Sequence, residues 1–274
     1  MGTRYIARVN TQTDPFTSAI PAEVPLPDAP LVRVIAQVRF PAILSIERHD
    51  FIAPIQEAIR SQYPILRAEQ TPGLTVGPPG ALPRAPQVIW RFADIEGNWR
   101  VSLAPDFVAI ETTAYRSRKD FFTRFEKLVH ALVEQVSPRI VDRLGVRYID
   151  RVTGEAVQNI SQLVRHEILG IIATAAAEQA HYTLSESVFT LPELSAQLLA
   201  RWGLLPTGGT VDPAAIEPFA EPSWILDLDL FRSAPSVFDP EEIVTRARAY
   251  AERIYAFFRW VVTDDFLRRY GGQI

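Results

Sequence analysis

The C-terminal stretch of residues 238–264 has the sequence pattern of one long, buried helix. Asp239 is suited to cap its N-terminus, Pro240 stands at the first helical position, and two acids follow in the first turn. Apolar residues then recur at helical spacing and form a wide stripe: Ile243, Ala247, Ala251, Ile254, Tyr255, Phe258, Val261 and Val262. A stripe of this width predicts that the helix packs on another layer of structure.

The segment just before this helix has the pattern of a strand. Residues 224–230 alternate between apolar and polar side chains, which is typical of a strand with one buried face. Similar patterns predict the other strands: residues 31–40, 88–93, 99–103, 107–113, 140–152, 181–191 and 196–205. Helical spacing predicts the other helices: residues 51–62, 121–136 and 160–171.

The order of these elements predicts the fold class. It is β-α-β-β-β-α-β followed by α-β-β-β-α, and several strands are joined by tight turns such as Glu96-Gly97-Asn98. Strands joined in this way favour antiparallel pairing, and helices with one apolar stripe favour packing on a sheet. We therefore expect an α+β fold with a mainly antiparallel sheet and two long amphipathic helices on one of its faces.

Proline marks two segments in which no regular structure is expected. Residues 1–30 hold several prolines without sustained periodicity, which predicts an extended leader. Residues 71–86 combine prolines with glycines and predict an irregular connection. The remaining chain, residues 31–274, is expected to form a single α+β domain, in which residues 31–153 and 154–274 are loosely similar halves.

Composition excludes several classes of function. The chain has no cysteine, which excludes a disulfide scaffold, a thiolate zinc site and a cysteine nucleophile. Its histidines lack metal-ligand spacing, and no Gly-x-Ser-x-Gly or phosphate-binding Gly-Lys-Ser/Thr sequence occurs, so we expect neither metal nor cofactor. No apolar stretch approaches the about 20 residues of a membrane span. We expect a cytoplasmic protein that makes no membrane contact.

Arginine supplies the strongest candidate for a binding surface. If each predicted strand turns its more apolar side to the helices, one set of charged side chains collects on the opposite face. This set comprises Arg33, Arg39, Arg91, Arg100, Arg147, Arg151, Asp227 and Asp229. Such a face is suited to an anionic small molecule, an RNA segment or an acidic protein partner. The competing interpretation is a ladder of cross-strand ion pairs that keeps an exposed sheet in water.

Asp227 and Asp229 also support a different hypothesis. At strand spacing they project from one face about 7 Å apart, close enough to share a divalent ion or to act as an acid–base pair. Glu111 would be a third ligand only if its strand lay in the right register. It is in step with Phe107 along the strand, so its side chain is expected to project from the other face of the sheet. The competing interpretation is that the two aspartates pair with cross-strand arginines.

Several short segments resemble a known family. In chain order they are Pro30-Leu31-Val32, Arg39-Phe40-Pro41, Trp90-Arg91-Phe92, Gly97-Asn98-Trp99-Arg100-Val101-Ser102-Leu103, Phe107-Val108, Glu111-Thr112-Thr113-Ala114-Tyr115, Leu144-Gly145-Val146-Arg147-Tyr148-Ile149-Asp150-Arg151, Ile225-Leu226-Asp227-Leu228-Asp229-Leu230-Phe231 and Val262-Thr263-Asp264. Together they resemble the bacterial and archaeal family called "sporadically distributed protein", over residues 30–271. The resemblance implies one intact domain and a soluble intracellular protein, and it carries over no reaction and no catalytic residue.

These observations favour a non-enzymatic binding protein of the bacterial cytoplasm. We expect it to recognise an anionic small molecule or protein partner through the arginine-bearing face or a cleft beside it. The first alternative is a metal-dependent phosphoester enzyme that uses Asp227 and Asp229. The second is an RNA-binding module, which the net charge of −4 disfavours.

Overall fold

The computed structural model describes residues 14–77 and 80–274 of the chain. Residues 1–13 of the predicted leader and residues 78–79 of the predicted irregular connection lie outside the described residues. The described chain has the predicted α+β fold, because helices and a large antiparallel sheet share one main hydrophobic core.

One sheet of nine strands organises the structure, and all its pairings are antiparallel. The strands of the chain are β1 (Leu31–Arg39), β2 (Ile65–Gly77), β3 (Gly80–Ala93), β4 (Trp99–Ala104), β5 (Phe107–Thr112), β6 (Ile140–Val141), β7 (Arg143–Thr153), β8 (Ser185–Leu191), β9 (Ala196–Leu205), β10 (Ser223–Arg232) and β11 (Ser236–Val237). The large sheet has the order β2-β3-β4-β5-β1-β7-β10-β9-β8, and β6 pairs with β11 separately. Strands β1 and β7 therefore lie in the middle of the sheet.

The helices differ widely in length. They are α1 (His49–Ile59), α2 (Arg118–Gln135), α3 (Glu155–Gln158), α4 (Ile160–Leu163), α5 (His166–Leu169), α6 (Pro240–Val261) and α7 (Asp264–Arg269). Short 3-10 turns occur at Leu44–Glu47, Gly170–Ala173, Ala175–Gln179 and Pro192–Leu194. None of the described helices is long and apolar enough to cross a membrane.

Helices α2 and α6 are the two long amphipathic helices that the sequence predicts. Asp239 caps α6, since its Oδ1 accepts hydrogen bonds from the N–H groups of Glu241 and Glu242 at 3.0 and 3.1 Å. Ser117 caps α2 by accepting a hydrogen bond from the N–H of Asp120 at 3.1 Å. Helix α6 packs on β7, β10 and α2, so the two apolar stripes close one core over the sheet.

The prediction of an irregular connection at residues 71–86 is wrong. Strands β2 and β3 continue into this segment as an antiparallel ribbon, which adds one strand to the predicted order. The pairing shifts register between Thr71 and Gly73, so Pro72 stands at an irregularity, where no ladder hydrogen bond is lost. Only Trp90–Ala93 of β3 pair with β4, so the earlier prolines of β3 lie in a two-stranded ribbon with an open edge.

The single helix predicted at residues 160–171 is also wrong. The segment is divided into α4, α5 and a 3-10 turn, and Val164 between α4 and α5 is extended. Val164 forms a β-bridge with Val262, and the N–H of Arg165 donates to the carbonyl of Val261 at 2.9 Å. This pairing with the C-terminal end of α6 takes backbone groups that a continuous helix would use.

The described part of the predicted leader, residues 14–30, lies against the C-terminal helices. Tyr255 Oη accepts a hydrogen bond from the N–H of Val24 at 2.8 Å, and Arg253 donates to the carbonyl oxygens of Pro15 and Ser18 at 2.9 and 3.0 Å. The ring of Phe16 stacks on that of Phe257, with centroids 5.4 Å apart. These contacts hold the proline-rich segment against α6.

Candidate functional site

The strand register decides which face of the sheet each charged side chain occupies. Val34, Ala36 and Val38 of β1 belong to the core beneath the helices, so Arg33 and Arg39 project from the opposite face. The same alternation in β3, β4, β7 and β10 places the other predicted residues there: Arg91, Arg100, Arg147, Arg151, Asp227 and Asp229. We call this surface, defined by these eight side chains, the arginine face.

Ion pairs between strands and turns occupy much of the arginine face. Arg39 Nη2 lies 2.7 Å from Asp106 Oδ2, and Arg143 Nη2 lies 2.8 Å from Asp229 Oδ2. Burial raises the pKa of Asp229, and the nearby positive charge of Arg143 opposes that rise. A ladder of cross-strand ion pairs, the competing interpretation of the sequence, therefore describes a large part of this surface.

The most buried of these pairs joins Arg147 to Asp227. Arg147 Nε and Nη2 contact the two carboxylate oxygens of Asp227 at 2.7 and 2.8 Å, while Nη1 reaches Asp212 at 2.7 Å. Asp227 is only 1% exposed, and Arg201 Nε lies 3.5 Å from its second oxygen. Burial favours the neutral form of Arg147, but the contacts with Asp227 and Asp212 outweigh it and raise the pKa of Arg147.

The connection between β9 and β10 lies across this pair. We call residues 206–222 the covering loop, because Ala215 and Ile216 pack on Ile149 and Ile225 in a second, smaller buried cluster. Arg151 Nη2 donates to the carbonyl of Glu217 at 2.8 Å, and its guanidinium lies over the ring of Phe219. Arg147, Arg151 and Asp227 are thus engaged with the chain's own loop.

The arrangement of acids does not support a metal centre, the alternative hypothesis for Asp227 and Asp229. The carboxylates of Asp227 and Asp229 are each bound by an arginine. Glu111 lies on the arginine face, contrary to the expectation from its phase, but β1 and β7 separate its strand β5 from β10. Within residues 14–77 and 80–274, no group of three or more His, Asp or Glu residues is arranged to hold a metal ion.

An open cleft of about 370 Å³ lies on the arginine face, over β2, β3, β4, β5 and the start of β1. Four arginines line it: Arg33, Arg67, Arg91 and Arg100. Its volume falls in the range of about 300–1,000 Å³ that is typical of small-molecule sites. We call it the arginine cleft.

Two of the four arginines share one carboxylate at the base of the cleft. Arg33 Nη1 lies 3.1 Å from Glu111 Oε1, and Arg100 contacts the same oxygen. The Nε groups of Arg33 and Arg100 are buried and have no hydrogen-bond acceptor among the described residues. Glu111 therefore faces two guanidinium groups. The cleft is also lined by Glu69, Asp94 and Glu96, so its four arginines and four acids balance in formal charge.

The other two arginines face each other across a strand pair. Arg67 of β2 and Arg91 of β3 are direct cross-strand partners, and Arg91 Nε lies 2.8 Å from Glu69 Oε2. Arg91 also donates to the hydroxyl of Ser102. Arg67 is exposed and has no ion pair with any residue in the described part of the chain. Like charges directly opposite each other in a sheet destabilise it unless an anion lies near them.

The structure divides the predicted site residues into three sets. Those that line the arginine cleft are Arg33, Arg91 and Arg100. Those beneath the covering loop are Arg147, Arg151 and Asp227. Those held in ion pairs elsewhere on the face are Arg39 and Asp229. The alternation of the paired strands brings all eight residues to one face of the sheet. Of the three sets, the first lines the arginine cleft.

Arg67 is the cleft arginine that the sequence analysis missed. The prolines of residues 71–86 led to the prediction of an irregular segment, so strand β2 was not predicted. Its first residues do alternate as in a short strand, with Arg67 and Glu69 on one side and Leu66 on the other. Asp212, which binds Arg147 beneath the covering loop, was missed because a loop carries no periodic signal.

The chain was also compared with known proteins. No family model and no curated protein matches it.

Proposed function

We propose that this chain is a non-enzymatic binding protein whose arginine cleft takes carboxylate or phosphate groups of an anionic ligand or partner. The observation that carries the proposal is the opposed pair Arg67 and Arg91, in which Arg91 pairs with Glu69 and Arg67 has no ion pair with a described residue. An anion placed between the two guanidinium groups would relieve their repulsion. It would also accept planar, paired hydrogen bonds of the kind that arginine makes with carboxylates and phosphates.

The remainder of the cleft supports the same proposal. Arg33 and Arg100 share the single carboxylate of Glu111, so further acceptor atoms near their terminal guanidinium nitrogens would be favourable. The guanidinium groups of Arg33, Arg91 and Arg100 are held by side chains of the sheet, so a ligand would meet three groups that are already oriented.

Location and family are part of this proposal. A chain without cysteine suits a reducing compartment, and we propose the bacterial cytoplasm. Membership in the "sporadically distributed protein" family is likewise proposed, on the order of the short motifs between residues 30 and 271. The metal-dependent enzyme and the RNA-binding module have no comparable support, because the acids are paired with arginines and the net charge is −4.

Arg67→Gln tests the proposal, with Arg268→Gln as the matched control. Arg268 lies on α7, is 60% exposed and pairs only within its own helix, so its loss removes the same charge elsewhere. The melting temperature is followed with inorganic phosphate and with succinate, against chloride at equal ionic strength. Wild type and Arg268→Gln should be stabilised by phosphate and succinate beyond chloride.

The affinity of Arg67→Gln should fall by about 10- to 100-fold, the equivalent of one charge-assisted hydrogen bond. Without anion, Arg67→Gln should be as stable as wild type or more stable by a few tenths of a kcal/mol, because the repulsion with Arg91 is gone. The proposal is wrong if neither anion acts beyond chloride, or if Arg67→Gln and Arg268→Gln respond alike.

A further inference from the structure

We infer that the natural occupant of the arginine cleft is an acidic peptide segment of a protein partner, in which an apolar side chain follows the acid. This inference rests on the proposed function and names its ligand class. Three observations lead to it: exposed apolar side chains at the cleft, the composition of the cleft wall, and a segment of the same chain already bound on the same face.

Exposed isoleucines lie beside the guanidinium groups. Ile65 and Ile95 both line the arginine cleft, and they are 37% and 83% exposed. Ile65 is at the start of β2, directly opposite Ala93, and Ile95 is in the turn between β3 and β4. A phosphate ion or a small dicarboxylate would neutralise arginines and leave this apolar surface in water. An occupant with both an acid and an apolar side chain would cover both parts.

The acids at the rim of the cleft are already engaged. Asp94 Oδ1 accepts a hydrogen bond from the N–H of Trp99 at 3.0 Å, and Glu96 Oε2 accepts one from Asn98 at 3.2 Å. Glu111 and Glu69 are bound by arginines. Asp94 and Glu96 keep their negative charges in these hydrogen bonds, and Arg67 is the cleft arginine that has no ion pair with a described residue.

The covering loop shows how a peptide segment with this chemistry lies on the arginine face. Asp212 places its carboxylate on Arg147 at 2.7 Å, and four residues later Ile216 is buried against Ile149 and Ile225. Arginines hold its backbone too, since Arg151 donates to the carbonyl of Glu217 at 2.8 Å. The cleft offers the same combination, guanidinium groups beside isoleucines, on the neighbouring strands, and no segment of residues 14–77 or 80–274 covers it.

The test uses the intact protein and a fluorescent peptide with the sequence of residues 210–219, Thr-Val-Asp-Pro-Ala-Ala-Ile-Glu-Pro-Phe. The covalent loop already occupies its own site, so the free peptide should find the cleft. We expect saturable binding by fluorescence anisotropy. Peptides that carry Asp212→Asn or Ile216→Ser should each bind about tenfold or more weakly, because one loses the charge and the other the apolar contact.

Variants of the protein identify the site. Arg67→Gln and Ile95→Ser should each weaken peptide binding about tenfold, and both positions are exposed, so folding is expected to be unchanged. Arg268→Gln and Ile171→Ser, which change an exposed arginine and an isoleucine that is 50% exposed elsewhere, should bind as wild type does. Ile95→Ser should leave stabilisation by phosphate and by succinate unchanged, because the proposed anion position lies between the guanidinium groups of Arg67 and Arg91.

The outcomes separate this inference from the proposed function. If phosphate and succinate stabilise the protein through Arg67 but the peptide does not bind, the peptide inference is overturned and the anion-binding function stands. The same holds if the peptide binds equally well to Ile95→Ser. If neither the anions nor the peptide bind, both fail.

Discussion

Asp227 has the sequence pattern of a metal ligand, but in the structure it is the buried partner of two arginines. Its carboxylate is 1% exposed, it accepts two hydrogen bonds from Arg147, and Arg201 lies nearby. Two cations around one buried anion satisfy its charge and leave no open coordination position for a metal. The alternation of residues 224–230 correctly predicts the face on which Asp227 lies. The partners of Asp227, Arg147 and Arg201, come from the neighbouring strands β7 and β9.

Asp227→Asn should therefore be strongly destabilising. Removal of the buried anion leaves Arg147 and Arg201 with less counter-charge, and the free energy of unfolding should fall by about 3–5 kcal/mol. Glu186→Gln is the control, because Glu186 lies 3.6 Å from the same Arg201 but is 58% exposed. It should cost less than about 1 kcal/mol in urea denaturation. Equal losses for the two variants would contradict this account.

Asp150 is a second residue whose burial has a measurable consequence. It lies on the helix side of β7, is 6% exposed, and burial raises its pKa from 3.8 to about 7. Because the pKa is higher in the folded than in the unfolded state, the folded protein binds more protons between these values. This carboxyl therefore lowers stability progressively as the pH rises from about 4 to about 7.

Asp150→Asn should remove that pH dependence. The variant should be more stable than wild type at pH 8, by at most about 4 kcal/mol, and the difference should vanish towards pH 4. Unfolding free energies from urea titrations at several pH values provide the measurement. Asp265→Asn, at a position 65% exposed, is the control and should show no such trend. A difference between Asp150→Asn and wild type that is constant with pH would refute the assignment.

At the scale of elements, the covering loop distinguishes the two sides of the arginine face. Residues 206–222 bury Ala215 and Ile216 on β7 and β10, whereas β4 and β5 are joined by a tight turn and leave the face above them open. Loop length thus decides which arginines are available to a ligand, because the strands on both sides carry similar charges.

Ile216→Ala should loosen the covering loop without disturbing the sheet beneath. Ile216 is 3% exposed in the smaller cluster, and truncation of a buried isoleucine costs about 2–5 kcal/mol in a closed core. We expect about 2 kcal/mol, because a loop can detach locally. Limited proteolysis should cut residues 206–222 faster, while Ile171→Ala, at a half-exposed position, should behave as wild type. Unchanged cleavage would show that Ile216 does not hold the loop.

At the scale of the whole molecule, the strand order repeats around the middle of the sheet. Outwards from β1 lie β5, β4 and β3, and outwards from β7 lie β10, β9 and β8. Arg39 at the end of β1 reaches Asp106 in the turn before β5, and Arg147 of β7 reaches Asp212 in the loop before β10, each at 2.7 Å. In this repeat β7 corresponds to β1, so β7 would be the first strand of the second half. The predicted halves, residues 31–153 and 154–274, instead place β7 at the end of the first half.

The local sequence pattern correctly predicts an element where a single periodicity, of a strand or of a helix, runs through the segment. The strand predicted at residues 196–205 is β9, and the cap and proline of α6 stand where the sequence indicates. The missed strand β2 and the divided helix at residues 160–171 have a different cause. Strand β2 forms by pairing with the next strand, β3, despite the prolines in both. The helix is divided because Val164 pairs with the distant Val262, which overrides helical periodicity.

The sequence by itself determined the α+β class, the two long helices and the face on which each strand arginine projects, because these depend on side-chain alternation along a single segment. Only the tertiary structure decided that Arg147 and Arg151 lie under a loop and that Arg67 joins Arg91 at an open cleft. Those outcomes depend on register and loop packing between residues far apart in the chain, and no local periodicity encodes them.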